Sequence, residues 1–206
     1  MDARAFLGLK PSHNPYRWTL PVTSRVATWG GFLFGGAGLG AAISALEGTS
    51  GRQAIWATGQ YLSYAKPGEV MDIDVTIAVE GHQITQARAV GHVGNREILT
   101  VNAALGDRPD IPSGQFEVMP DVGRPDDHRS RVHVAAGRGP SINDHLEQRV
   151  VKGRDPDDRD GTPGDGQTIV WARIPSVIEG VDASALAVLG DFVPMGVGEA
   201  LGIKGG

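Results

Sequence analysis

The sequence predicts an α+β protein in which an antiparallel sheet wraps a buried central helix, duplicated in tandem with the second copy incomplete. Three observations carry this expectation. The stretch from Trp29 to Gly48, WGGFLFGGAGLGAAISALEG, holds no charged residue before Glu47 and is apolar or small on every face. A helix that is apolar all round must be buried all round. Runs with strand signals and tight turns then follow one another to Leu105, which is how a sheet folded over a helix reads. A second apolar stretch, DASALAVLGDFVPMGVGEALG, begins at Asp182 and repeats the character of the first.

Residues 1 to 15 are polar, carry Pro11 and Pro15, and read as a lead-in. Tyr16 to Thr23 is a first strand with Trp18, Leu20 and Val22 on one face. The buried helix stops at Gly48, a glycine placed as a C-terminal cap. Glycine costs about 1 kcal/mol against alanine within a helix. Its use at Gly35, Gly36, Gly38 and Gly40 therefore calls for something that approaches the backbone closely, a wrapping sheet or a ligand. Gln53 to Ala65 is rich in β-formers and ends at the turn Lys66-Pro67-Gly68. Ile73, Val75, Ile77 and Val79 alternate with Asp72, Asp74, Thr76 and Ala78, the period of a half-buried strand. Ile84 to Val93 returns after Glu80-Gly81-His82, and Ile98 to Leu105 closes the set after Gly94-Asn95.

Composition changes at Gly106. From there to Gln167 the chain is dense in Asp, Arg, Pro and Gly, which predicts a long surface linker, mobile around Asp155 to Gly166. Phe116 to Met119 and His145 to Val151 interrupt it, the latter as a strand candidate, and Thr168 to Pro175 is a further strand. The expected organisation is a first unit over residues 16–106, a linker over 107–144, and the start of a second unit over 145–206 that includes a mobile loop at 153–166. With the numbering shifted by 160, Ala27, Gly30, Phe32, Gly36 and Gly38 fall on Ala187, Gly190, Phe192, Gly196 and Gly198. That is five identities in twelve positions, and it reads as an internal duplication. The second copy lacks the strands that should wrap its helix. An uncovered apolar helix exposes a sticky surface, so the missing strands are expected from further chain or from another polypeptide.

With 206 residues, 40% of them hydrophobic, the chain has enough apolar material for a real core. A formal charge of −5 argues against a nucleic-acid surface, which shows a basic stripe. No cysteine is present, which excludes disulfides, thiol catalysis and thiolate metal sites. The start MDARAFLGLK lacks the apolar run of a secretory signal. The glycine-diluted stretch from Trp29 to Leu46 reads as a core helix rather than a membrane span, so a soluble cytoplasmic protein is expected.

Candidate chemistry is sparse. Gly36, Gly38 and Ala41 fit G-x-G-x-x-A, but no strand leads into them and no acid lies near Trp56, so a dinucleotide loop is not favoured. G-x-S-x-G is absent. The six histidines are scattered; His128 and His133 lie in the linker without metal spacing, and His82 and His92 sit at turns, so no metal site is expected. Asp72 and Asp74 read as a wet strand face, Trp56, Tyr61 and Tyr64 as core and sheet packing, and Arg154 to Asp160 as a solvated loop. One residue stands out. Where the first copy has Gly31, the second has Asp191, the only charge between Asp182 and Glu199. A lone carboxylate in an apolar helix is costly unless paired, which makes Asp191 a candidate general base for activating water. Its bland alternative is a bend before Pro194 or a side chain in solvent.

WGGFLFGGAGLGAA and QYLSYAKPGEVMDIDVTIAVEGHQITQARAVGHVGNREILTVNAALG resemble the first half of the double hot-dog proteins of acyl-CoA thioesterase II type. Shared features are the glycine-rich helix start, the aromatic strand ending in a Lys/Arg-Pro-Gly turn, and an arginine-bearing strand, here Thr85 to Ala89. FEVMPDVGRPDD is similar to the Met-Pro segment that the family carries between its halves. The resemblance implies hydrolysis of acyl-CoA to free acid and CoA, with no cofactor, no metal and no covalent enzyme intermediate. It places Asp191, in LGDFVPMGVGEAL, on the family's water-orienting Asp. The hydroxyl and amide partners of that Asp belong to later strands of the second half. Backbone N–H groups near Gly35, Gly36 and Gly196 are expected to receive the thioester carbonyl. Phe32, Phe34 and Phe192 are expected to line the acyl chain. Two other readings stay open: a hydratase of enoyl thioesters on the same fold, which favours an Asp-His pair, and a non-catalytic acyl-CoA-binding or assembly subunit. A homo-oligomer formed by sheet pairing is the expected assembly.

Overall fold

A computed structural model describes residues 1–109, 111–112, 114–131, 139–192 and 196–203. His133, Pro194 and the terminal Gly205 and Gly206 lie outside them. The lead-in is not irregular. Asp2 caps a short helix α1 (Ala3–Leu7), its side chain accepting from the Ala5 N–H at 2.7 Å. Phe6, Leu7 and Leu9 are buried in the common core. Strand β1 (Lys10–Pro11) then pairs with β2 (Arg17–Pro21), in which Trp18 and Leu20 point inward as the alternation predicts.

The central helix α2 (Gly35–Ser50) starts and ends later than its composition suggests. Residues before it form a 3-10 turn at Ser24–Val26 and an isolated bridge between Ala27 and Leu33. The cap is Gly51, with φ 69°, whose N–H donates to the Glu47 carbonyl at 2.8 Å. Gly48 serves contact instead: a Cβ there would lie 2.4 Å from the Trp18 ring. The Glu47 carboxylate accepts from the Ala54 N–H at 2.8 Å and so ties the end of α2 to the next strand. Burial pushes the Glu47 carboxyl above the usual range.

Strands β3 (Ala54–Tyr61), β4 (Val70–Glu80), β5 (Ile84–Val93) and β6 (Arg96–Gly106) complete an antiparallel six-stranded sheet of order β1-β2-β4-β5-β6-β3. Met71, Ile73 and Val75 of β4, with Ala89, Leu99, Val101 and Leu105, face Ala37, Ala41, Ala45 and Leu46 of α2. The alternation breaks at a bulge between Ile77 and Val79, which leaves Val79 exposed. Trp56, Tyr61 and Tyr64 are more than half exposed at 54%, 54% and 57%, not core residues. β3 is an edge strand.

A second, three-stranded antiparallel sheet runs β7 (Arg129–Arg131), β8 (Glu147–Lys152) and β9 (Ile169–Arg173). Two further helices follow, α3 (Ala183–Gly190) and α4 (Gly196–Leu201). α3 packs on α2, and the glycines explain how. A Cβ on Gly36 would lie 2.6 Å from the Ala187 carbonyl oxygen, and one on Gly40 would lie 2.8 Å from that of Ser184. The buried Ser184 hydroxyl donates to the Gly40 carbonyl at 2.8 Å. The close neighbour that the helix glycines demanded is thus a second helix for Gly36 and Gly40, and the sheet residue Leu99 for Gly38. The shift of 160 sets α4 on residues 36–41, within α2, whereas α3 falls on residues 23–30, which hold a 3-10 turn and the Ala27 bridge.

On the outer face of the sheet, Arg17 of β2 grips Asp74 of β4 with two hydrogen bonds, 2.6 and 2.8 Å long. A ring nitrogen of His92 on β5 lies 2.9 Å from the same carboxylate. The Arg17 hydrogen bond, aided by His92 against partial burial, holds the Asp74 carboxyl below its ordinary range.

Two predictions follow from this packing. Gly40→Ala drives a methyl into the α3 backbone and lowers unfolding stability by about 1–3 kcal/mol; an unchanged denaturation midpoint would contradict the close approach. A depressed carboxyl stabilises the fold above its unfolded pKa and loses that effect as pH falls through the folded value. Asp74→Asn therefore lowers stability at neutral pH by at most about 1 kcal/mol, because the pair is solvent-screened. The difference closes below the unfolded carboxyl value, as pH falls through the lower folded one, measured by paired denaturant titrations.

Candidate functional site

Asp182 caps α3 as its position predicts, accepting from the Ala185 N–H at 2.7 Å. The expected single helix from Asp182 to Gly202 is instead two. α3 ends at Gly190, Asp191 is its C-terminal cap, and α4 starts at Gly196. Asp191 therefore leaves the helix at a turn. Its side chain is partly exposed and lodges at the start of α2 rather than in an apolar helix interior.

The first-turn N–H groups of a helix need outside acceptors. Phe34, at the N-cap of α2, has no side-chain acceptor to offer. Asp191 fills the gap from the end of α3: its Oδ2 accepts from the Gly36 N–H at 2.7 Å. Negative charge at this end of α2 also opposes the helix dipole favourably. No described residue donates a second hydrogen bond to this carboxylate. Gly35 permits the approach, since a Cβ there would stand 2.9 Å from Asp191 Oδ2.

Aromatic rings frame the carboxylate. Phe34 and Phe192 stack with centroids 4.4 Å apart and planes 28° from parallel. Tyr61 reaches from β3, its hydroxyl donating to the Gly35 carbonyl at 3.0 Å. Burial first, and the Asp191 charge second, push the Tyr61 phenol up. The structure thus brings together Asp191, Gly35, Gly36, Phe34 and Phe192 from the residues singled out in the sequence. Phe32 lies apart, 42% exposed, with its ring 6.2 Å from that of Tyr64. Gly196 packs instead against Gly166, whose carbonyl oxygen would be 2.8 Å from a Cβ there. Tyr61 carried no signal in the sequence, because only the fold of β3 onto α2 turns it toward Gly35.

The loop read as mobile and solvated is anchored to α4. Glu199 is buried and accepts from the Arg154 N–H at 3.1 Å and from its Nε at 3.0 Å. Arg159, 4% exposed, sets its Nε 3.6 Å from the same carboxylate and donates to the Ile203 carbonyl at 3.1 Å. The backbone hydrogen bond from Arg154 is the leading cause that holds the Glu199 carboxyl low. Asp155 pairs with Arg129 and Arg131, fixing the loop to β7 as well.

Among the described residues no group of three or more His, Cys, Asp or Glu side chains is placed to hold a metal ion. No described helix is long and apolar enough to cross a membrane.

No protein-family model matches this sequence, and no curated protein matches it. Solved structures do. A candidate thioesterase from Novosphingobium aromaticivorans is similar at 27% identity and a TM-score of 0.80, over 96% of this chain and 76% of its own. A conserved hot-dog protein of unknown function from Alicyclobacillus acidocaldarius is similar at 22% identity and a TM-score of 0.80, over 98% and 72%. An acyl-CoA thioesterase II from Mycobacterium marinum is similar at 19% identity and a TM-score of 0.67, over 92% and 68%. The sheet wrapped on α2, the second sheet with α3, and these likenesses converge on the hot-dog fold, which the chain shares with structures similar to it.

Proposed function

We propose that the protein hydrolyses acyl-CoA thioesters to a free carboxylic acid and CoA, with Asp191 as the base that activates water. The observation that carries this reading is the lodging of Asp191 at the start of α2, on a fold shared with thioesterases. One carboxylate oxygen is fixed by the Gly36 N–H, which orients the group. The half-buried Phe34 and Phe192 pair supplies apolar surface for the start of an acyl chain. Phe32 and Gly196 belong, on this reading, to the periphery of the substrate path. A hydratase is less favoured: the one histidine–carboxylate contact among the described residues, His92 with Asp74, lies on the outer face of the sheet.

A second reading rests on the same hydrogen bond. Asp191 then serves solely as the cap of α2, and the protein binds acyl-CoA or assembles with a partner without hydrolysing it. The two readings part on one variant. Under hydrolysis, Asp191→Asn keeps the shape and lowers the rate of CoA release by about 10²- to 10⁴-fold. Turnover within a few-fold of the wild type would remove Asp191 from the chemistry.

For the assembly, we propose that β3 takes a strand on its open side, from further chain or from a second copy. Its residues AIWATGQY carry no charge, and Ile55 and Trp56 within it are exposed. Natural sheets protect long edges with charge, proline or cover, and β3 has none of the first two. Hydrogen exchange on the natural protein tests this. Protection at every amide from Ala54 to Tyr61 is expected with a docked strand; protection at alternate amides alone means that the edge is open.

A further inference from the structure

A thioester carbonyl becomes an oxyanion when water adds to it, and its oxygen then needs a hydrogen-bond donor. At the start of α2 the Gly36 N–H is held by Asp191. A side-chain donor next to that carboxylate would serve a hydrolytic centre here. We propose that the Tyr61 hydroxyl is that donor, a catalytic residue that stabilises the oxyanion while Asp191 activates the water. This rests on the thioesterase reading above.

Three features support the assignment. First, the hydroxyl is already at the site, donating to the Gly35 carbonyl at 3.0 Å. Gly35 opens α2, so its carbonyl also receives the helix's own hydrogen bond from four residues on. The tyrosine bond is thus the second on that oxygen, and exchanging it for a thioester oxygen strands no backbone group. Second, Tyr61 and Asp191 meet at one point. A Cβ on Gly35 would stand 2.9 Å from Asp191 Oδ2 and 3.4 Å from the Tyr61 ring. A carbonyl placed beside Gly35 is therefore within reach of both the carboxylate's water and the phenol. Third, the ring is half exposed, so a substrate can approach it from solvent. The upward shift of the phenol keeps the proton on the donor.

The step balances. Asp191 takes a proton from water, and the hydroxide adds to the carbonyl carbon. The carbonyl π electrons move to oxygen, which Tyr61 O–H stabilises without giving up its proton. Collapse of the tetrahedral state breaks the C–S bond. The CoA sulfur leaves with the bonding pair and takes the proton from Asp191, giving acid and thiol.

The test uses the natural full-length protein and Tyr61→Phe, which deletes the hydroxyl and keeps the ring. CoA release from acyl-CoA is expected to fall about 10²-fold in kcat with KM little changed. Binding of two CoA analogues separates this from a structural role. A trifluoroacetonyl thioether of CoA, whose hydrate mimics the tetrahedral state, is expected to bind more weakly to the variant by a similar factor. A propyl thioether of CoA, with no carbonyl, is expected to bind both proteins alike. Wild-type turnover with kcat of the variant within threefold overturns the role of Tyr61 and leaves the thioesterase reading standing. Equal loss of affinity for both analogues overturns it too, as a packing effect. Absence of wild-type turnover overturns the thioesterase reading, and this role with it.

Discussion

The close approach of α2 and α3 is the constraint on which the rest depends. Gly36 and Gly40 stand one turn apart on α2, and at both positions α3 backbone occupies the space where a side chain would sit. Small residues let helix backbones approach until ordinary side chains no longer fit between them, and packing at that range tolerates little added volume. The buried hydroxyl of Ser184 then finds its acceptor on Gly40. Because the helices touch, the residue that ends α3 arrives at the start of α2. Without that contact Asp191 has no Gly36 to bond.

The same geometry gives Asp191 two physical tasks in one position. It satisfies a helix start that Phe34 cannot cap, and it presents a carboxylate next to an aromatic wall. A carboxylate at a helix start meets the positive end of the helix dipole. The contact orients the group, which suits a residue that positions water and equally suits a cap. Kinetics on the variant separates the two.

The polar region after Gly106 shows how charged sequence can be ordered. Arg154 and Arg159 are far from Glu199 in sequence, yet all three share one cluster, in which Arg159 and Glu199 are nearly inaccessible to solvent. Burying such groups is costly unless every charge is paired and hydrogen-bonded. Here the carboxylate meets both guanidinium groups, and the guanidinium groups also reach the Thr162 and Ile203 carbonyls. The loop is thereby fixed against α4, the helix that follows the Asp191 turn.

The sequence alone determined the α+β class, the buried helix, the order of the strands through Leu105, and the family resemblance. These rest on local signals: alternation of Ile73, Val75 and Ile77, glycine turns, and an uncharged stretch too apolar for a surface. It also marked Asp191, since a lone charge in apolar surroundings is visible without coordinates. Other features were decided by tertiary structure. The helix boundaries moved because Gly48 meets Trp18 while Gly51 takes the left-handed cap. The lead-in became α1 because Phe6 and Leu7 found a core built from later residues. Tyr61 entered the site, and Arg159 left solvent, through partners 26 and 40 positions away along the chain. Composition and periodicity report what a residue can pair with over one or two turns; which distant group satisfies it is fixed only when helices and sheet pack.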